Sequence, residues 1–234
     1  MTDGDTVRPG AEGPGAKHDP VPAAIDWLLG IVTGAIGLAL TLAGAGTYAW
    51  IDRALIADAV ATDGVRVEGL SPEEFVTAAG PFVDWFAVGV AVTGLGLVAG
   101  AVAFVRARRR TRRRVARDGG TTATFRACAV YGAAVTVLVS FVPGSTVVGG
   151  AVAAYLHAGD SGIRIGAVAG LIGFALSVPL LVFLSVGLLA GAGKIGALAA
   201  GAVLVGVVVV AELVALALTA GLGALGGFLV SRFV

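Results

Sequence analysis

Glu212 is the one acidic residue deep inside a long apolar run, 195–230, which makes its carboxyl group the strongest candidate for proton chemistry in the chain. An ionised carboxylate at bilayer depth is costly unless it is paired or wetted. Partners for it can be sought in the preceding apolar run. Pro179 lacks an N–H, so it leaves the Ala175 carbonyl without its helical donor and should kink the helix. Ser177 and Ser185 flank that position. Glu212, Ser177 and Pro179 are therefore read as an intramembrane polar site. Two roles stay open for it: a proton or cation relay, or a neutral structural acid packed against its neighbours. The absence of a second acid or a histidine in the same apolar interior favours the second.

A different chemistry is concentrated in 106–117, RARRRTRRRVAR. Arg106, Arg108, Arg109, Arg110, Arg112, Arg113, Arg114 and Arg117 could hold anionic lipid headgroups, and a cluster this dense beside a span is also a cytoplasmic topology anchor. Nucleic acid is not expected as a partner, because no aromatic residues interleave the arginines. His157 and Asp160 stand three apart in a polar turn, too few groups for a metal site; His18 sits in the polar tail. Both histidines read as solvated. No Ser/His/Asp or Cys/His set, HExxH or phosphate loop is present. No catalytic, metal or cofactor-binding residue is expected, and no enzymatic activity. The single cysteine, Cys128, excludes an intramolecular disulfide.

These groups must be carried by membrane-spanning helices. The chain of 234 residues is 57% hydrophobic and only 13% charged, against about 25% charged for a soluble domain. A span needs about 20 apolar residues, because the hydrocarbon core is roughly 30 Å thick. The expectation is an all-α polytopic transmembrane bundle of five or six spans with one short or re-entrant segment. Residues 1–24 read as a disordered cytoplasmic tail, too polar to offset ordering entropy. Residues 25–105 read as a hairpin of two spans around an acidic extracytoplasmic insert, 52–81. In that insert 52–64 looks helical and ends at the Asp63-Gly64 turn. Ser71, Pro72 and Glu74 then open a short helix with a capping box, closed by Gly80-Pro81. Residues 106–123 read as an Arg-rich cytoplasmic loop and 124–234 as a Gly-rich bundle. Within that bundle 124–142 is a span, Pro143-Gly144 a turn, and 146–156 either a short span or a re-entrant half-helix. Residues 165–190 form a further span. The last helix should end near 221–227, with 227–234 at the interface. The threading puts the amino terminus in the cytoplasm and the protein in the cell membrane.

Small residues recur at four-residue spacing: Gly162, Gly166 and Gly170; Gly149 and Ala153; Ala192, Gly196 and Ala200; Gly30 and Gly34; Gly96 and Gly100. Such stripes let helix backbones approach closely, within one chain or in a homo-oligomer. The stretch 141–174, with Pro143, Gly149-Gly150, Tyr155 and Gly166 to Gly173, resembles a family of uncharacterised multi-pass membrane proteins of halophilic archaea. The resemblance implies an archaeal cell membrane, and it offers no activity or site residues. The preference for Arg over Lys, which occurs only at Lys17 and Lys194, goes in the same direction.

Overall fold

The computed structural model describes residues 21–63, 69–119, 121–140, 142–157 and 161–233. Most of the tail, Gly64 of the expected Asp63-Gly64 turn, and Asp160 lie outside them. Among the described residues all regular structure is helical: α1 (Ala23–Trp50), α2 (Arg53–Asp63), α3 (Pro72–Asp118), α4 (Phe125–Leu138), α5 (Ser145–His157), α6 (Gly162–Ala175), α7 (Val178–Lys194) and α8 (Leu198–Phe233). Four stretches are long and apolar enough to cross a membrane: α1, α3, α6 continued by α7, and α8.

The capping box opens α3 as expected. The Ser71 hydroxyl accepts the Glu74 N–H at 3.3 Å, and Glu74 Oε2 accepts the Ser71 N–H at 2.9 Å. Two other expectations for this segment fail. Pro81 does not end a short helix, because α3 runs through it for 47 residues. Proline removes one backbone hydrogen bond, but the apolar run beyond it has no better way to satisfy its amides in lipid than to stay helical. Nor is 106–117 a loop. The arginines continue α3 to Asp118, arginine being a good helix former, and Gly119 caps the helix at φ 75°.

The expected span at 124–142 is shorter. Thr124 caps α4, which ends after 14 residues. That is about 21 Å, well short of a hydrocarbon core. The chain turns at Pro143-Gly144, where Gly144 adopts φ 86°. α5 then runs back beside α4: Gly132 meets Gly149, and the Phe125 ring contacts His157, so the start of α4 lies against the end of α5. The two short helices form a hairpin whose tip does not reach the far end of the bundle.

Pro179 acts as predicted. The helix breaks at Leu176 and Ser177, just before it, and the Ser177 hydroxyl donates to the Phe174 carbonyl at 2.7 Å. The last helix does not stop at its glycines; α8 continues for 36 residues. Gly223, Gly226 and Gly227 are its contact surface. A Cβ on Gly166 or Gly170 would strike the backbone of Gly223 or Thr219, and one on Gly162 would strike Gly227. The stripe on α6 therefore faces α8 within the same chain, and only glycine allows this approach. α1 packs antiparallel on α3, with Gly37 at Gly94 and Gly44 at Ala87, while Gly187 and Gly191 of α7 pack on Phe82 and Ala78 of α3. The other stripes divide. Gly149 and Ala153 pack on α4, and Gly30 meets Val105, but Gly196 lies in the turn after α7 at φ 73°. Gly96 and Gly100 face open space. The tightest core joins the hairpin to α6 through Cys128, Ala129, Ala153, Ala154, Ile165 and Ala169.

Candidate functional site: a buried ion cluster at one end of the bundle

Asp26 lies in the first turn of α1 and Arg108 thirty-odd residues into α3, and each is 4% exposed. The antiparallel α1–α3 pair brings them together. Arg108 Nε donates to Asp26 Oδ1 at 3.1 Å, and Arg112, one turn further on, donates from Nε to Asp26 Oδ2 at 2.8 Å. The Tyr131 hydroxyl of α4 donates to Asp26 Oδ1 as well. The guanidinium groups also fasten backbone just outside the helices. Arg108 Nη1 reaches the Thr122 carbonyl at 2.5 Å, and Arg112 Nη2 reaches the Val21 carbonyl at 2.7 Å. Phe104 stands edge-on to Tyr131, and Arg108 lies 5.7 Å from the Tyr131 ring centroid. One carboxylate thus ties α1, α3, α4 and the α3–α4 connection into one cluster.

This arrangement holds charges in place; among the described residues no group of His, Cys, Asp and Glu is gathered that could hold a metal ion. Just outside it Arg109 lies 4.2 Å from the Trp27 ring centroid, a geometry that favours an arginine over an aromatic face. Arg106, Arg109, Arg110, Arg113, Arg114 and Arg117 are exposed. The eight arginines therefore divide into two that build the cluster and six that face outward.

The residues read as an intramembrane polar site are not joined. Contacts of Gly170 with Thr219 and of Ala192 with Gly201 bracket the antiparallel register, which puts Glu212 level with Ser177 and Pro179. Yet Ser177 spends its hydroxyl on Phe174, and among the described residues the Glu212 side chain has no hydrogen-bond or ion-pair partner. Glu212 is half-buried in a part of α8 where Val209, Val210, Leu213 and Val214 are exposed. His157 packs against Phe125, and its Nδ1 atom is buried with no partner among the described residues.

The sequence reading gave Asp26 no role and took the eight arginines together as one cluster. The signal it missed is the four-residue spacing of Arg108 and Arg112, which puts both on one helix face, in register with Asp26 in the first turn of α1.

Residues 126–232 match a family of unknown function, DUF5518. The match covers α4 to α8 almost entirely and leaves out α1 to α3, which supply Asp26 and the arginines. No curated protein and no solved structure matches the chain.

Proposed function

We propose that the chain is an integral protein of the cell membrane with a structural or organisational role and no enzymatic activity. Four helices cross, and α4 with α5 enters from the arginine side and returns to it. Both ends of the chain then lie in the cytoplasm, the side on which arginine-rich segments are retained. The outward arginines contact anionic headgroups. The exposed apolar face of α8 is open to lipid or to a second copy of the chain. An archaeal membrane is in keeping with the resemblance of 141–174.

The observation that carries this reading is where the polar groups are. Among the described residues the buried charged ones, Asp26 and Arg108, gather at one end of the bundle, and the core that joins the hairpin to α6 is built of Ala, Cys and Ile. An ion or proton path needs charged or free polar groups strung through the hydrocarbon, and the seam hydroxyls of Thr41, Thr136 and Thr219 are instead bonded to carbonyls of their own helices. A second reading, a small transporter, is favoured by the half-crossing hairpin and by the level placement of Glu212 and the Ser177–Pro179 break, since broken helices are where transporters bind. Purified protein in vesicles loaded with a pH-sensitive dye distinguishes the two. The structural reading predicts no proton flux above protein-free vesicles under a potential. A flux that Glu212→Gln abolishes while the fold survives would replace it with transport.

A further inference from the structure

α3 does not end at the bilayer surface. On the arginine side α1 opens with Asp26 in its first turn and the exposed Trp27 beside it, and an exposed tryptophan at the end of a span marks headgroup level. Arg108 is bonded to Asp26 and so lies at that level. Arg113 and Arg117 stand five and nine positions further on, hence about 7.5 and 13.5 Å past it along the axis. The headgroup layer is only about 5–8 Å thick on each face. The end of α3 therefore carries arginines through the headgroups and into water.

Four of them share one line. Arg106, Arg110, Arg113 and Arg117 follow at spacings of four, three and four, which keeps them within about 60° of one another around the helix, on the side away from Asp26. All four are exposed, and among the described residues none has a hydrogen bond or an ion pair. Asp118, the nearest acid on the helix, directly follows Arg117 and so lies about 100° round from it. Like charges four residues apart repel, and the pairs Arg106–Arg110 and Arg113–Arg117 have no acid between them.

The direction of this line selects its partner. Headgroups form a layer, and the line runs across that layer for about 16 Å, so lipid phosphate meets only its lower end. Single-stranded nucleic acid stacks its bases on aromatic faces, and none stands between Val105 and Asp118. A second helix with carboxylates at the same spacing matches the whole line, since eleven residues make about three turns of any α-helix.

We propose that Arg106, Arg110, Arg113 and Arg117 dock an acidic helix of another protein, with Glu or Asp at alternating four- and three-residue spacing, laid along α3 where it leaves the membrane. This docking rests on the reading that α3 crosses the bilayer, and it adds a soluble partner to the structural role. Each contact is an exposed ion pair, weak alone and screened by salt, so binding is reversible and needs several arginines at once.

The test uses the full chain in nanodiscs of phosphatidylcholine, which carries no net charge to compete. They are titrated at low salt with a fluorescent, alanine-rich helical peptide whose glutamates follow the four-three-four spacing, and binding is read by anisotropy. The expected result is at least about tenfold tighter binding than that of a peptide of the same composition with its glutamates spread round the helix. Binding should vanish near 1 M salt, where the screening length is about 3 Å. Arg113→Gln/Arg117→Gln, which keeps good helix formers, should weaken it about tenfold or more, with circular dichroism unchanged. Equal binding of the two peptides, or wild-type affinity in the double variant, would overturn the docking line, and tighter binding of an oligouridylate than of the matched peptide would overturn the class of partner. A fluorophore at Ala116→Cys, on a Cys128→Ala background, checks the placement separately. Ready quenching by acrylamide is expected; shielding from acrylamide, with quenching by a lipid spin-labelled at its headgroup, would show that this end of α3 lies on the bilayer, and would remove the geometry beneath the proposal whatever the peptides do.

Discussion

Removing the Asp26 carboxylate should be among the most damaging single changes in the chain. Asp26→Ala leaves Arg108, 4% exposed, as a buried cation without its counter-charge, and takes the acceptor from Arg112 and Tyr131. Breaking a buried pair from one side costs about 3–5 kcal/mol, or roughly two to three and a half orders of magnitude in the unfolding equilibrium. Arg112 contributes less to that figure, since 24% of its side chain is exposed and can turn toward headgroups or water. The assay is a denaturing-detergent titration of purified protein, followed by tryptophan fluorescence. Its control is the double variant Asp26→Ala/Arg108→Met, which removes both charges and fills the space. Since apolar replacement of a whole buried pair is close to neutral, the double variant should be more stable than Asp26→Ala alone. If the two single effects add to within about 0.5 kcal/mol, the residues are not coupled and the cluster does not hold the bundle together.

Gly166→Leu should lower thermal stability sharply, because a side chain there meets the Gly223 backbone; an unchanged melting curve would mean that α6 and α8 do not touch. Glu74 has its carboxyl pKa held below the ordinary value of 4.5, first by the Ser71 backbone hydrogen bond and then by the Ser71 hydroxyl. A depressed carboxyl pKa stabilises the fold above its unfolded value, and that contribution is lost as pH falls through the folded one. The start of α3 should therefore fray only at acid pH, and Ser71→Ala should move the Glu74 titration, followed by NMR, back up toward 4.5. An unmoved titration in that variant would contradict the capping box.

Much of this architecture was readable because lipid imposes simple rules. Long apolar runs announced α1, α3 and α8, the Ser71–Glu74 box announced the start of α3, and the Gly162–Gly170 spacing announced a close helix seam. What was not readable depends on long-range geometry. The apolar run 124–142 has the composition of a span, and only its contacts with α5, Gly132 on Gly149 and Phe125 on His157, reveal a hairpin. Pro81 has the look of a terminator, but in hydrocarbon a helix interrupted by one missing bond is better than an unpaired backbone. Arg108 and Arg112 look like their six neighbours until α1 brings Asp26 against them, 82 and 86 positions away. Gly96 and Gly100 have the spacing of a packing stripe, and spacing alone does not say whether a helix or lipid lies against it.

The central claim is four crossings and one hairpin that returns to the arginine side. Single cysteines on a Cys128→Ala background, labelled from outside intact cells with a membrane-impermeant maleimide, test it most directly. The account predicts labelling of Ser71→Cys and Lys194→Cys, and no labelling of Thr111→Cys, Ser161→Cys or Ser231→Cys until the cells are opened. Labelling of Ser161→Cys from outside would mean that the α4–α5 hairpin does not return, and labelling of Thr111→Cys from outside would reverse the whole threading.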